Sequence, residues 1–266
     1  VEPREAFDFS RIVWVLVVAG GLALVWLLLR RARDRLLDIG IGQAADQIER
    51  VLAVLNDPAP HELAVISPGA WAADRLALVE QRLADADAAG FVPFGDVEDR
   101  TVSRATGTAS MMRGMVHTDG VTMLSALARP DHSGTLIVAV ECGSELSNGR
   151  FVETIATDAP LLDPGPSVSL EQLPGSTTLQ ALCERHRGRV AEAAVGDVRA
   201  LPIGDIDAAI QRAHRRLAVT AAARAALPGG ISRTELARLA VDTDPAIVDR
   251  IHAELIRRQR AQTGPR

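Results

Sequence analysis

The sequence predicts a single-pass transmembrane helix, a cytoplasmic α+β domain built as helix, four-stranded antiparallel meander and helix, and a small all-α C-terminal module. Three observations carry this expectation. Residues 12–29 read IVWVLVVAGGLALVWLLL, without a charge. Four stretches in the middle of the chain are separated by turn signals of the Asp-Gly and Asn-Gly kind, which supply residues that tolerate positive φ. The charge balance then changes at Gly196: residues 57–195 carry ten Arg against nineteen acidic residues, whereas 196–266 carry twelve Arg against eight.

Residues 1–11 form a short non-cytoplasmic N-terminus, and 12–29 the transmembrane helix, roughly 27 Å long at 1.5 Å per residue. Trp14 and Trp26 stand near its ends, and Arg30, Arg31, Arg33 and Arg35 follow at once. That asymmetry places the N-terminus outside and the C-terminal domain in the cytoplasm. Ala19, Gly20, Gly21 and Ala23 make a small-residue patch suited to close helix packing. The run holds no His, Met, Cys, Asp or Glu, so it offers no haem ligand and no proton relay.

Residues 30–56 read as a juxtamembrane helix, with Leu37, Ile41, Ala44, Ile48, Leu52 and Leu55 at helical spacing. Within 57–195, Pro68 to Ala89 is expected to be helical, with Gly90 as its cap. Thr106 to Val116, Val121 to Ala128, Thr135 to Leu146 and Arg150 to Thr157 are the four expected strands. Asp158 to Gly175, punctuated by four prolines, reads as an extended loop. Ser176 to Ala194 is the second helix of the domain. In the C-terminal module, 196–266, helices are expected from Asp205 to Leu227, from the capping box Ser232-Arg233-Thr234-Glu235, and from Asp244-Pro245 to about Arg260.

Composition excludes several chemistries. All 29 basic residues are Arg, which removes Schiff-base and P-loop lysines, and the 3% aromatic content leaves few rings for stacking on bases. No GxGxxG or GxSxG frame occurs, and Cys142 and Cys183 lie far apart without metal-ligand spacing. The six histidines, 61, 117, 132, 186, 214 and 252, are scattered singly, with His186 the best placed for acid–base work. Glu141, Glu145 and Glu153 fall on adjacent expected strands and read as the solvated side of an alternation. The last two helices have helix-turn-helix spacing, but Asp244 and Asp249 occupy the first turn of the recognition position while Arg257, Arg258 and Arg260 lie at its far end.

No catalytic, cofactor-binding or metal-ligating residue is therefore expected, and no cofactor. The predicted site residues are those of the anchor, Trp14, Ala19, Gly20, Gly21, Ala23, Trp26, Arg30, Arg31, Arg33 and Arg35. A short outside N-terminus, one helix and a cytoplasmic domain of 200-odd residues give a plan that resembles the H subunit of photosynthetic reaction centres. Topology alone carries the resemblance, and no residue is carried over from it. The expected function is a non-catalytic accessory or structural subunit of a larger membrane protein complex, docking through its cytoplasmic domain, with other membrane subunits and the bilayer as partners and nucleic acid not among them. The alternatives are a membrane-tethered regulator whose C-terminal helices bind nucleic acid or a signalling partner, and a membrane-anchored enzyme with an unrecognised site.

Overall fold

The computed structural model describes residues 35, 37–57, 59–130, 135–240 and 243–263. Seven strands form one sheet: β1 (Leu63–Ile66), β2 (Phe91–Asp99), β3 (Met111–His117), β4 (Met123–Pro130), β5 (Leu136–Glu145), β6 (Phe151–Ala156) and β7 (Val168–Leu173). Their spatial order is their sequence order. Neighbours are antiparallel except β6 and β7, which run parallel.

Local chemistry explains the tight connections. Between β3 and β4, Gly120 takes φ 71° while the Asp119 carboxylate accepts from the backbone N–H groups of Val121 and Thr122 at 2.9 and 3.0 Å. The Ser147-Asn148-Gly149 turn between β5 and β6 places Gly149 at φ 76°. A parallel neighbour needs a crossover, and residues 157–167 supply it without a helix. Pro160, Pro164 and Pro166 lack the N–H that would let that segment join a ladder.

Both sheet faces are covered. On one, α2 (Ala73–Arg82), with Leu83 just past its end, and α4 (Leu179–Ala193) bury Val79, Leu83, Leu179 and Leu182 against Leu124, Ala126, Val140 and Cys142. On the other lies α5 (Ile206–Ala225), started by Asp205, whose side chain accepts from Ala208 N. A short α3 (Arg100–Thr106) joins β2 to β3. A second core unites α1 (37–55) with α6 (Arg233–Leu239) and α7 (Pro245–Thr263), burying Ile41, Ala45 and Leu52 with Ile231, Leu236, Val248, Ile251 and Leu255. The capping box is formed as the sequence requires: Ser232 accepts from Glu235 N, and Glu235 accepts from Ser232 N at 2.8 Å.

The buried Arg224, 1% exposed, fastens α5 to this second core. Its guanidinium donates to Glu235 at 2.8 Å, to Asn56 at 3.1 Å, and to the carbonyls of Gly230 at 2.9 Å and Asp163 at 3.2 Å. Three distant chain segments, around residues 56, 163 and 224–235, meet on one side chain.

Expectations are corrected in two areas, the fold and the membrane span. The four-stranded meander is the centre of a seven-stranded mixed sheet: the four expected stretches correspond to β3, β4, β5 and β6, and β1, β2 and β7 extend it on both sides. β1 has only four residues, and β2 carries Pro93, Gly95 and three carboxylates, with an irregular register between Pro93 and Gly95. Such strands carry little β-propensity of their own. The helix expected over 68–89 is also shorter, a 3₁₀ turn at Pro68–Ala70 preceding α2.

The second correction concerns the membrane. Among the described residues no helix is long and apolar enough to cross a bilayer, so a single-pass membrane protein with an outside N-terminus is not supported. The longest described helix, α5, carries Arg212, Arg215, Arg216 and Arg224, spent on protein carboxylates and carbonyls or buried beneath the sheet. The expected span 12–29, with Trp14, Ala19, Gly20, Gly21, Ala23 and Trp26, lies outside the described residues, as do Arg30, Arg31 and Arg33; Arg35 is exposed.

Candidate functional site: a charged cavity between sheet and helix

In β5, Glu141, Gly143 and Glu145 alternate and so share a face. Gly143 pairs with Glu153 of β6, which brings the third carboxylate onto the same face. On α5, Arg212, Arg215 and Arg216 sit at i, i+3 and i+4, one stripe of a helix. Packing α5 on the sheet lays three arginines over three glutamates. Two of the three possible pairs are closed by bidentate forks: Arg215 on Glu145 at 2.8 and 2.7 Å, and Arg216 on Glu153 at 2.7 and 2.8 Å. Glu145 and Glu153 are almost fully buried, 5% and 3% exposed, so the expectation that these carboxylates are solvated is corrected. A helix covers the face that the alternation alone assigns to water.

The third pair is open. Arg212 is 9% exposed, its Nη1 is buried without a hydrogen-bond partner, and among the described residues no carboxylate reaches ion-pair distance of it. Glu141 likewise makes no hydrogen bond to the described residues. The two meet over Gly143, where a Cβ would lie 3.1 Å from Arg212 Nη2 and 3.6 Å from Glu141 Oε1. Gly143 borders a cavity of about 330 Å³, walled by Met112, Met123, Leu127, Phe151 and Leu217 together with Ser125. Burial, with the neighbouring charge of Glu153, pushes the Glu141 carboxyl up to about 7. Burial also lowers the Arg212 guanidinium from its ordinary value, against the pull of Glu141, Glu145 and Glu153.

On the opposite face the structure joins residues that lie 42 apart: Ser144 Oγ is 2.9 Å from His186 Nε2. The geometry is that of a nucleophile beside a base, but the protons are held the wrong way. Ser144 Oγ–H donates to the Val121 carbonyl at 3.0 Å, so Nε2–H donates to Ser144. Arg189 donates to Thr154 Oγ1 at 2.9 Å, and Thr154 in turn donates to Nδ1 at 3.2 Å. His186 is fully buried, and burial, with the charges of Arg189 and Arg212, lowers its pKa to about 3. A neutral imidazole with Nε2 already protonated takes no proton from Ser144.

The other residues singled out in the sequence are dispersed. His61 bonds Asp99 at 2.7 Å, His214 donates to the His61 carbonyl at 2.9 Å, and His252 meets the Ile231 carbonyl at 3.0 Å. His117 lies beside Asp119 at 3.0 Å, and His132 is outside the described residues. Cys142 and Cys183 are free and buried in one core, where burial raises both thiols. Among the described residues no group of three or more His, Cys, Asp or Glu converges on a metal position. Three of the four arginines of α7 are engaged within the fold: Arg257 on Glu254, Arg258 on Glu254, Asp46 and Glu49, and Arg250 on Asp38.

Sequence reasoning missed Arg212 altogether. The signal was present, since an Arg stripe at i, i+3, i+4 and a Glu alternation in a strand are complementary patterns, but nothing local says that they meet. No protein-family model, curated protein or solved structure matches the chain, so the cavity is read from its own geometry.

Proposed function

We propose that the chain is a non-catalytic binding protein that holds a small ligand in the cavity between the sheet and α5. The observation that carries this reading is Arg212, a buried cation left unpaired in a stack where its two neighbours are fully paired. Leaving a buried charge without a contact partner costs several kcal/mol, and a ligand that supplies the partner recovers that cost. The cavity wall supports the same reading, being mostly apolar with a few convergent polar groups, at the lower end of the roughly 300–1,000 Å³ usual for small-molecule sites. Catalysis has less support: Ser144 and His186, the one nucleophile–base contact noted above, are locked in an unreactive proton arrangement.

The four methionines provide the test. Met112 and Met123 line the cavity, whereas Met115 belongs to the core on the other face and Met111 packs at its margin. With the methionine methyls labelled with carbon-13, a bound fragment should move the Met112 and Met123 resonances and leave that of Met115 in place. Gly143→Val, which puts a branched side chain between Arg212 and Glu141, should abolish those shifts. A library of small polar and apolar fragments that leaves Met112 and Met123 unmoved at millimolar concentration would refute the binding role.

A further inference from the structure

We infer that the ligand of this cavity is a small zwitterion of the amino-acid type with an apolar side chain, its carboxylate on Arg212 and its ammonium on Glu141. The inference rests on the binding reading above and adds the ligand's chemistry. The layer holds three guanidinium and three carboxylate groups, and two pairs neutralise each other in contact. Arg212 and Glu141 are the remaining pair, facing the same cavity over Gly143 without an ion pair between them.

Above about pH 7, where Glu141 is ionised, an anion alone would satisfy Arg212 and add a negative charge beside Glu141 and Glu153, which like-charge repulsion opposes. A cation alone would satisfy Glu141 and leave the Arg212 Nη1 without an acceptor. A neutral molecule with both charges closes the third pair and leaves the layer balanced. The planar fork of Arg212 suits a carboxylate, to which guanidinium donates in parallel. Met112, Met123, Leu127, Phe151 and Leu217 then offer the remaining volume to an aliphatic, thioether or aromatic side chain. About 330 Å³ admits a molecule of that size.

The test uses the full chain, titrated calorimetrically and by methionine-methyl resonances with L-leucine, L-methionine and L-phenylalanine, and with N-acetyl-L-leucine and L-leucinamide. At least one free amino acid should bind and move Met112 and Met123. For leucine, capping the ammonium or the carboxylate should each weaken binding at least tenfold. Arg212→Gln should weaken the amino acid at least tenfold, and Glu141→Gln should weaken it while leaving N-acetyl-leucine unchanged or tighter, a discrimination that loss of fold would not produce. Gly143→Val should remove all binding. If capped derivatives bind as well as the free amino acid, or if only neutral fragments move Met112 and Met123, the zwitterion assignment is wrong and the binding role stands. If neither amino acids nor neutral fragments move those two methyls, both fall.

Discussion

Glu141 and His186 sit on opposite faces of the same sheet and pull stability in opposite directions with pH. The Glu141 carboxyl, raised from an ordinary 4.5 to about 7, keeps a proton in the folded chain that the unfolded chain has released. Stability therefore falls as pH rises from 4.5 to 7, and Glu141→Gln should be more stable than the parent at pH 8 by about 1–3 kcal/mol in urea denaturation. His186, lowered from 6.5 to about 3, does the reverse: the unfolded imidazole gains a proton below 6.5 and the folded one does not, so stability falls as pH drops through that window. Between 4.5 and 6.5 the two slopes oppose each other. Glu141→Gln should uncover the histidine's share, seen as a steeper loss of urea midpoint from pH 6.5 to 4.5 than in the parent. Neither shift is legible in the sequence. Both need a covering helix, α5 over Glu141 and α4 behind Ser144, and alternation along a strand tells which residues share a face but not what lies on it.

At the scale of elements, caps and turns were legible because their chemistry is local. Asp119-Gly120, Asn148-Gly149 and the Ser232 to Glu235 box each form as written. β1, β2 and β7 were not, because their stability comes from neighbours: β7 pairs in parallel with β6 across a proline-rich crossover that reads as loop. Glu235 belongs to both categories, since its local role in the capping box coexists with a distant one as counter-ion of the buried Arg224. Glu235→Gln should thus cost far more than a cap, about 3–5 kcal/mol from the stranded guanidinium, against about 1 kcal/mol for Ser232→Ala. Chemical denaturation of the two variants side by side checks the difference; equal losses would show that Arg224 is not held by charge. For α7, the sequence already placed Arg257, Arg258 and Arg260 at the wrong end for base recognition, and the structure pairs the first two, together with Arg250, with carboxylates. Titration of duplex DNA at 50 and 200 mM salt should show no salt-dependent specific affinity.

For the molecule as a whole, the change of charge at Gly196 marks the start of a counter-layer. The acidic part of the chain, with net charge −9, holds the glutamates of the sheet, and the basic part, at +4, supplies the helix that neutralises them. Truncation after Val195 would uncover Glu145, Glu153 and the apolar cavity wall, and would strip α1 of the residues that bury Ile41, Ala45 and Leu52. The truncated chain should lose cooperative urea unfolding and gain protease sensitivity in both α1 and β5. A cooperative transition with the parent's midpoint in the 1–195 fragment would show that the sheet does not depend on α5.

The meeting of Asn56 with Arg224, 168 residues apart, also sets a clock for synthesis. The apolar stripe of α1 leaves the ribosome early, but Ile231, Leu236, Val248, Ile251 and Leu255 arrive last. At about 5–20 residues per second the stripe waits roughly 10–40 s without its partners. During that interval Ile41, Ala45 and Leu52 present a greasy helix face to the cell, and nascent chains arrested between residues 100 and 220 should be held by a general chaperone that the finished chain no longer engages.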